Sequence, residues 1–198
     1  MDAWKKVLWS DESRFTLDFH DGRVRVHRMR GERYASCCIS EHDRYGGGSV
    51  MVWAGVWYGG RTDAILIEGN LNAEQYKDRI VIPIVIPTAH ENDLVFQDDN
   101  ARPHRAALVK SAITSARIPT LPWPARSPDL SPIEHAWDEL GRRVRNDCAQ
   151  PPSTLQELAQ RLKEQWSLLD QSFLDTLFTS MPHRIAACIA AKGGHTRF

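Results

Sequence analysis

The apolar positions of this chain change period about halfway along it, and the change predicts strands first and helices afterwards. In the first half they form short runs rich in Val, Ile, Trp and Phe: Lys6 to Leu17, Arg23 to His27, Ser49 to Tyr58 and Asp63 to Glu68. Turn signals separate the runs, with Asp-Gly at 21–22, Gly-Gly-Gly at 46–48 and Gly-Gly at 59–60, so the expected result is a meander of antiparallel strands. The triple glycine lacks the Lys-Ser/Thr of a phosphate loop and reads as a hairpin turn.

Asn72 is a candidate cap for a helix through Ile86, with Pro83 and Pro87 limiting its far end. A short apolar strand, Asp93 to Gln97, then runs into Asp98, Asp99 and Asn100. A helix from about Pro103 to Thr114 follows, and then Ile118 to Trp123, which is at most a short strand because prolines at 119, 122 and 124 remove ladder donors. Strand, helix and strand of these lengths make a βαβ unit. A Pro-rich loop leads into a helix from Pro132 to about Arg145. Beyond Pro151-Pro152, Ser153 is placed to cap a helix in which Leu155, Leu158, Leu162 and Trp166 fall at helical spacing. The last 30 residues also read as helical, ending at Lys192-Gly193-Gly194. The expected class is α/β, a mixed sheet flanked by helices with additional C-terminal helices, in one domain over residues 1–198.

At 198 residues such a chain buries roughly 70% of its unfolded surface and holds a full core. Disorder as the main state is thereby excluded. The 25 basic and 25 acidic residues cancel, which argues against holding nucleic acid through bulk basicity but not against a local basic groove. The balance is uneven: residues 1–100 carry 12 basic and 16 acidic side chains, residues 101–198 carry 13 and 9. Cys37, Cys38, Cys148 and Cys188 form no Cys-x-x-Cys pair, so neither a zinc site nor a disulfide framework is indicated. No apolar run approaches the ~20 residues of a membrane span, and the N-terminus lacks a signal-peptide stretch, so an intracellular soluble protein is expected.

Three acids stand where chemistry would want them: Asp11 in the first strand, Asp99 after the strand that follows the first helix, and Glu134 at the start of a later helix. Carboxylates are the ligands hard divalent cations prefer, and a pair of such ions serves phosphodiester chemistry. Each acid also has a structural reading. Asp11 and Glu12 are neighbours on a strand, so only one faces a given side. Asp98, Asp99 and Asn100 suit a turn. Ser131-Pro132-Ile133-Glu134 matches a capping box with Pro at the first helical position.

The segments VLWSDES (7–13), YGGGSVMVWAG (45–55), FQDDNARPH (96–104) and LPWPARSPDLSPIEHAWDEL (121–140) resemble the catalytic domain of Tc/mariner transposases, closest to the Tc branch. The ending IAAKGGHTRF is similar to that branch as well. The resemblance implies a ribonuclease H-like fold and an Asp-Asp-Glu triad. Asp11 in WSDE, Asp99 before Asn100, and Glu134 in SPIEH match it, with the branch's interval of 34 residues between the last two; Asp98 would give 35. It implies that these three are both catalytic residues and metal ligands, with two Mg²⁺ ions replaceable by Mn²⁺ and no small-molecule cofactor. The activity implied is cleavage and strand transfer of DNA in cut-and-paste transposition. Partners would be transposon ends and target DNA, with a homodimer and no membrane, and a eukaryotic member would act in the nucleus.

Arg126, Arg142, Arg143 and Arg145 are candidates to line a DNA path beside the acids, against the alternative of a solvated basic helix end. Asn100 and His104 are candidates for supporting Asp99 or touching DNA, or else are satisfied helix-start residues. His135 reads as structural, and Trp9, Trp53, Trp123 and Trp137 as core. The family's helix-turn-helix region, which reads DNA in the major groove, has no counterpart before Asp11. The alternatives are therefore a truncated or host-adopted nucleic-acid-binding module, or an RNA-degrading enzyme, which the extent of the Tc-type motifs disfavours.

Overall fold

Strand β1, Val7–Thr16, is the axis of the sheet. The computed structural model describes residues 3–17, 48–124, 127–146, 151–194 and 196. The expected strand Arg23–His27, the turn at 21–22, most of the triple glycine, three of the four cysteines and Arg126 lie outside these residues. β1 pairs antiparallel with β2, Ser49–Trp57, from Trp9 opposite Val56 to Thr16 opposite Ser49. On its other side it pairs in parallel with β5, Val95–Gln97. β3 (Gly60–Arg61) and β4 (Ile65–Ile67) both pair antiparallel with β2. The Gly-Gly turn holds: Gly59 takes φ +86, which a side chain disfavours, and a Cβ on Gly60 would stand 2.3 Å from the Trp57 ring.

Because side chains alternate along a strand, the sheet has two apolar faces. Val7, Trp9 and Phe15 pack with Val52, Ala54 and Val56 beneath the helices α4 (Pro132–Asn146), α5 (Leu155–Ser167) and α6 (Gln171–Thr179). Leu8 and Trp53 face the opposite way, against the helical segment 73–92 and α3 (Ala107–Ser115). Asp11 therefore follows Trp9 to one face and Glu12 follows Leu8 to the other.

Asn72 caps as expected: its side chain accepts from the Gln75 N–H at 2.9 Å and Gln75 returns the bond at 3.3 Å. The helix does not stop at its prolines. It runs as α1 (Ala73–Tyr76), a π-helical stretch (Lys77–Val85) containing Pro83, and α2 (Ile86–Asn92), ending at Asp93 with φ 51. In α-geometry a proline ring strikes the carbonyl four residues back. The segment around Pro83 uses the wider π pattern instead, ending with the Ile86 N–H bonded to the Val81 oxygen five residues back, and Pro87 sits in the first turn of α2.

Three other boundaries differ from expectation. α3 starts at Ala107 rather than near Pro103, since Asn100 has φ +65 and Ala106 is extended; the intervening residues form turns. Residues 118–123 supply a single parallel bridge between Thr120 and Phe96, because the prolines at 119, 122 and 124 carry no N–H. The cap of α5 is Thr154, not Ser153: Thr154 accepts from Glu157 N–H, while Ser153 donates twice to the Glu157 carboxylate. The last 30 residues are mainly helical, completing α6 and adding α7, Met181–Ala190. No helix among the described residues is long and apolar enough to cross a membrane.

Candidate active site

β1 and β5 run parallel and their pairing ends at Trp9 opposite Gln97, so Asp11, still within β1, and Asp99, past the end of β5, lie side by side just beyond it, and the first turn of α4 brings Glu134 to them. All three line one pocket of about 420 Å³, with Ser10, Gln97 and Asn100 among its other walls. Trp137, one helical turn beyond Glu134, donates from Nε1 to Asp11 Oδ2 at 3.0 Å, fastening α4 to β1. Asp98 and Asp99 both start the turn, through Asp98 Oδ1 to Asn100 N–H and Asp99 Oδ1 to Ala101 N–H, each 2.8 Å. The Asn100 amide donates to the Trp123 carbonyl at 2.9 Å and its oxygen accepts from Arg105 at 2.6 Å.

The capping box expected at Ser131–Glu134 does not form. Among the described residues the Glu134 carboxylate has no hydrogen bond; it lines the pocket together with Ser131 instead of folding back on its own helix. Its acidity is lowered by burial, by Asp138 one turn on, and by Asp99. Asp11 is displaced further. Burial first, then the charges of Glu134 and Glu12, push it up to about 8, although the Trp137 bond works the other way.

Asp99 behaves oppositely: His104 beside it, and the Ala101 N–H, hold it below the usual carboxylate range despite burial. His104 is 3% exposed and stacks on Tyr76 with ring centroids 4.2 Å apart. Its Nε2 is 3.1 Å from Glu12 Oε1 and its Nδ1 is 2.9 Å from Asp99 Oδ1. The first is an aligned hydrogen bond; the second is a close charge contact whose N–H is not aimed at the oxygen. Burial alone would lower this histidine, but the two carboxylates outweigh it and push it up to about 10. Glu12, Asp99 and His104 are near enough to share a metal ion, yet the two ring nitrogens point apart, one to each acid, which is the arrangement of a bridging cation.

Of the arginines predicted to line a DNA path, Arg142, Arg143 and Arg145 are not brought to this pocket, and Arg126 lies outside the described residues. Arg142 and Arg143 bind the Glu139 carboxylate at 2.7 and 2.8 Å and hold it down to about 2. Arg143 also donates to the Leu168 carbonyl and Arg145 to that of Gly141. They follow Glu134 on α4 by 8 to 11 residues, roughly 12 to 16 Å at 1.5 Å per residue. Among the described residues Arg105 and Lys110 line an adjoining groove of about 650 Å³ that shares Asn100 and Trp123 with the pocket. His135 is structural, its Nδ1 lying 3.4 Å from buried Arg184. Sequence reasoning missed the Glu12–His104 pair, the Trp137 bond to Asp11, and the placement of Arg105 and Lys110 in the adjoining groove. Only Trp137 carried a signal, its i+3 spacing from Glu134.

A mixed sheet with one carboxylate from within its central strand, one just past the end of the neighbouring strand and one from a helix start around one pocket is the frame of a polynucleotide-cutting domain. The family model of the DDE superfamily endonucleases matches residues 6–158. The chain is 36% identical to the Tcb1 transposase of Caenorhabditis briggsae and 35% identical to the Tc1 transposase of Caenorhabditis elegans, in each case over 98% of this chain and 71% of the relative. Its fold matches the catalytic domain of Mos1 transposase with a TM-score of 0.70 at 18% identity, over 98% of this chain and 87% of that one, and is thus ribonuclease H-like. The chain belongs to the DDE superfamily endonucleases, among the Tc1-like transposases. It carries the DNA-cleaving and strand-transferring core of a cut-and-paste transposase.

Proposed function

We propose that Asp11, Asp99 and Glu134 are the catalytic triad and that they hold Mg²⁺ or Mn²⁺, two ions when the site is fully loaded. One observation carries this reading: three carboxylates from three elements share a pocket where burial and mutual repulsion push Asp11 up to about 8. Such crowding is unfavourable for the protein alone and is relieved by a divalent cation, for which oxygen donors are the fitting ligands. The solved Mos1 catalytic domain was studied with Mg and with Mn, which supports the same choice.

Bound there, the cations would activate the attacking oxygen and stabilise the leaving one. The chain's own residues orient the donors. Trp137 occupies one oxygen of Asp11, Ala101 and His104 occupy one of Asp99, and Glu134 lines the pocket with no hydrogen bond among the described residues. Water in the cleavage step, and a DNA 3′-hydroxyl in the joining step, would attack the phosphodiester in line without a covalent enzyme–DNA intermediate. The substrates proposed are transposon ends and target DNA. Arg105 and Lys110 stand beside the acids to meet phosphates, whereas Arg142, Arg143 and Arg145 face their own intramolecular partners. Residues 1–198 act as one catalytic domain in this reading, in a homodimer like the paired-end arrangement named for Mos1, and in the nucleus of a eukaryotic source.

Nicking of a DNA oligonucleotide with Mn²⁺ tests the assignment. Wild type should nick and Asp99→Asn should not. Equal activity in both, or none in either, would sink it.

A further inference from the structure

Glu12 and His104 are not needed to hold a cation in the pocket, yet they form a largely buried ion pair next to it, with side chains 14% and 1% exposed. Glu12 points to the opposite sheet face from Asp11, and His104, on the turn that replaces the expected start of α3, reaches it across 92 positions of sequence. The ring is fixed on both sides: stacked on Tyr76, hydrogen-bonded to Glu12, and in charge contact with Asp99 Oδ1. That same Asp99 oxygen also accepts the Ala101 N–H. Oδ1 is therefore fully engaged on the protein side, while Oδ2 has no hydrogen bond among the described residues and belongs to a side chain about half exposed. One carboxylate oxygen is anchored and the other is left for the pocket.

We propose that Glu12 and His104 form a positioning clamp for Asp99, Glu12 fixing the imidazole and the imidazole fixing the carboxylate rotamer that presents Oδ2 to the divalent cation. The inference rests on the cation-binding reading above and adds a fourth acid to the site, one that acts through His104 without contacting the ion. Partners that orient a ligand in this way are worth 10- to 100-fold in metal affinity. Glu12 and His104 act in series, so their effects overlap instead of adding.

The test is calorimetric titration of Mn²⁺ into the folded 198-residue chain, with the melting temperature of each variant measured in EDTA. His104→Gln should weaken Mn²⁺ binding about tenfold or more, and Glu12→Gln should weaken it in the same direction. The double variant should be no weaker than His104→Gln alone. In nicking assays the Mn²⁺ requirement should rise while the rate at saturating Mn²⁺ recovers most of its wild-type value. Mn²⁺ affinity within twofold of wild type in folded His104→Gln, or additive losses in the double variant, would overturn the clamp. If His104→Gln does not fold, Glu12→Gln decides alone, since it leaves the imidazole in the core: an unchanged affinity refutes the proposal and a weakened one at unchanged melting temperature upholds it. Asp99→Asn is the control that separates the two readings. Undiminished Mn²⁺ binding in Asp99→Asn would refute the triad itself, whereas its loss there with intact binding in both other variants refutes only the clamp.

Discussion

Asp11 sets the pH behaviour of the metal-free protein. Its carboxyl is held at about 8 against 3.8 for a free side chain, so between those values the folded state binds more protons than the unfolded one and stability falls as pH rises. His104, raised from 6.5 to about 10, works in the same sense at higher pH: its stabilisation is complete below 6.5 and is lost toward 10. Glu139, held at about 2 against 4.5, contributes above 4.5, and that contribution is lost as pH falls toward 2. Thermal melts in EDTA should therefore peak near pH 4, where the Glu139 gain is nearly complete and the Asp11 loss begins, and decline toward pH 8. Asp11→Asn removes the largest part of the decline, so its melting temperature should exceed that of wild type by a margin that grows with pH, to several degrees at pH 8, while nicking is lost. A constant difference across pH would contradict the origin assigned to the shift. The candidate acids could be picked out of the sequence at this scale, but their protonation could not, because Asp11 is raised by burial and by residues distant in the chain.

Among the elements, α4 supplies Glu134 to the pocket and is tied to β1 through Trp137. Its amphipathic pattern was readable, with Ile133, Ala136, Trp137, Leu140 and Val144 buried on one side, and Trp137 was correctly read as core at 3% exposure. That its indole would also donate to Asp11 depended on the docking of α4 against β1. Trp137→Phe keeps the ring and deletes the donor; it should cost about 1 kcal/mol of stability and reduce nicking by a larger factor, measured by melts and initial rates on the same preparation. The segment 73–92 shows the reverse case. Its cap was legible in Asn72, and Asn72→Ala should cost about 1 kcal/mol, or roughly 2 to 4 °C in melting temperature. Its end was misjudged at the prolines, because a π-helical stretch that absorbs them has no marker in hydrophobic periodicity.

For the molecule as a whole, the C-terminal helices hold the wall of the pocket from behind. Arg184 of α7 is 2% exposed and donates to the Asp129 carbonyl at 3.1 Å and the Ser180 hydroxyl at 2.9 Å. Thr196 donates twice to the Asp129 carboxylate, and Ser127 and Pro128, just before it, line the pocket. Arg184→Ala should therefore lower stability by about 2–3 kcal/mol and raise the protease sensitivity of the 127–131 segment, with Mn²⁺ protecting it in part. Unchanged digestion around those residues would remove the tether from the account.

What the sequence determined by itself was local: among the described residues, which runs are strands, which are helices and the turn at 59–60, together with the order and 34-residue interval of the acids that mark the family. Those features follow from backbone periodicity and from residues within a few positions of one another. The tertiary structure alone decided which carboxylate oxygens are engaged among the described residues, that Glu12 reaches Asp99 through His104 on the opposite sheet face from Asp11, and that Arg105 and Lys110 line the adjoining groove. Those contacts join positions 92 and 126 residues apart. Their geometry is set by how finished elements pack together, which no local pattern encodes.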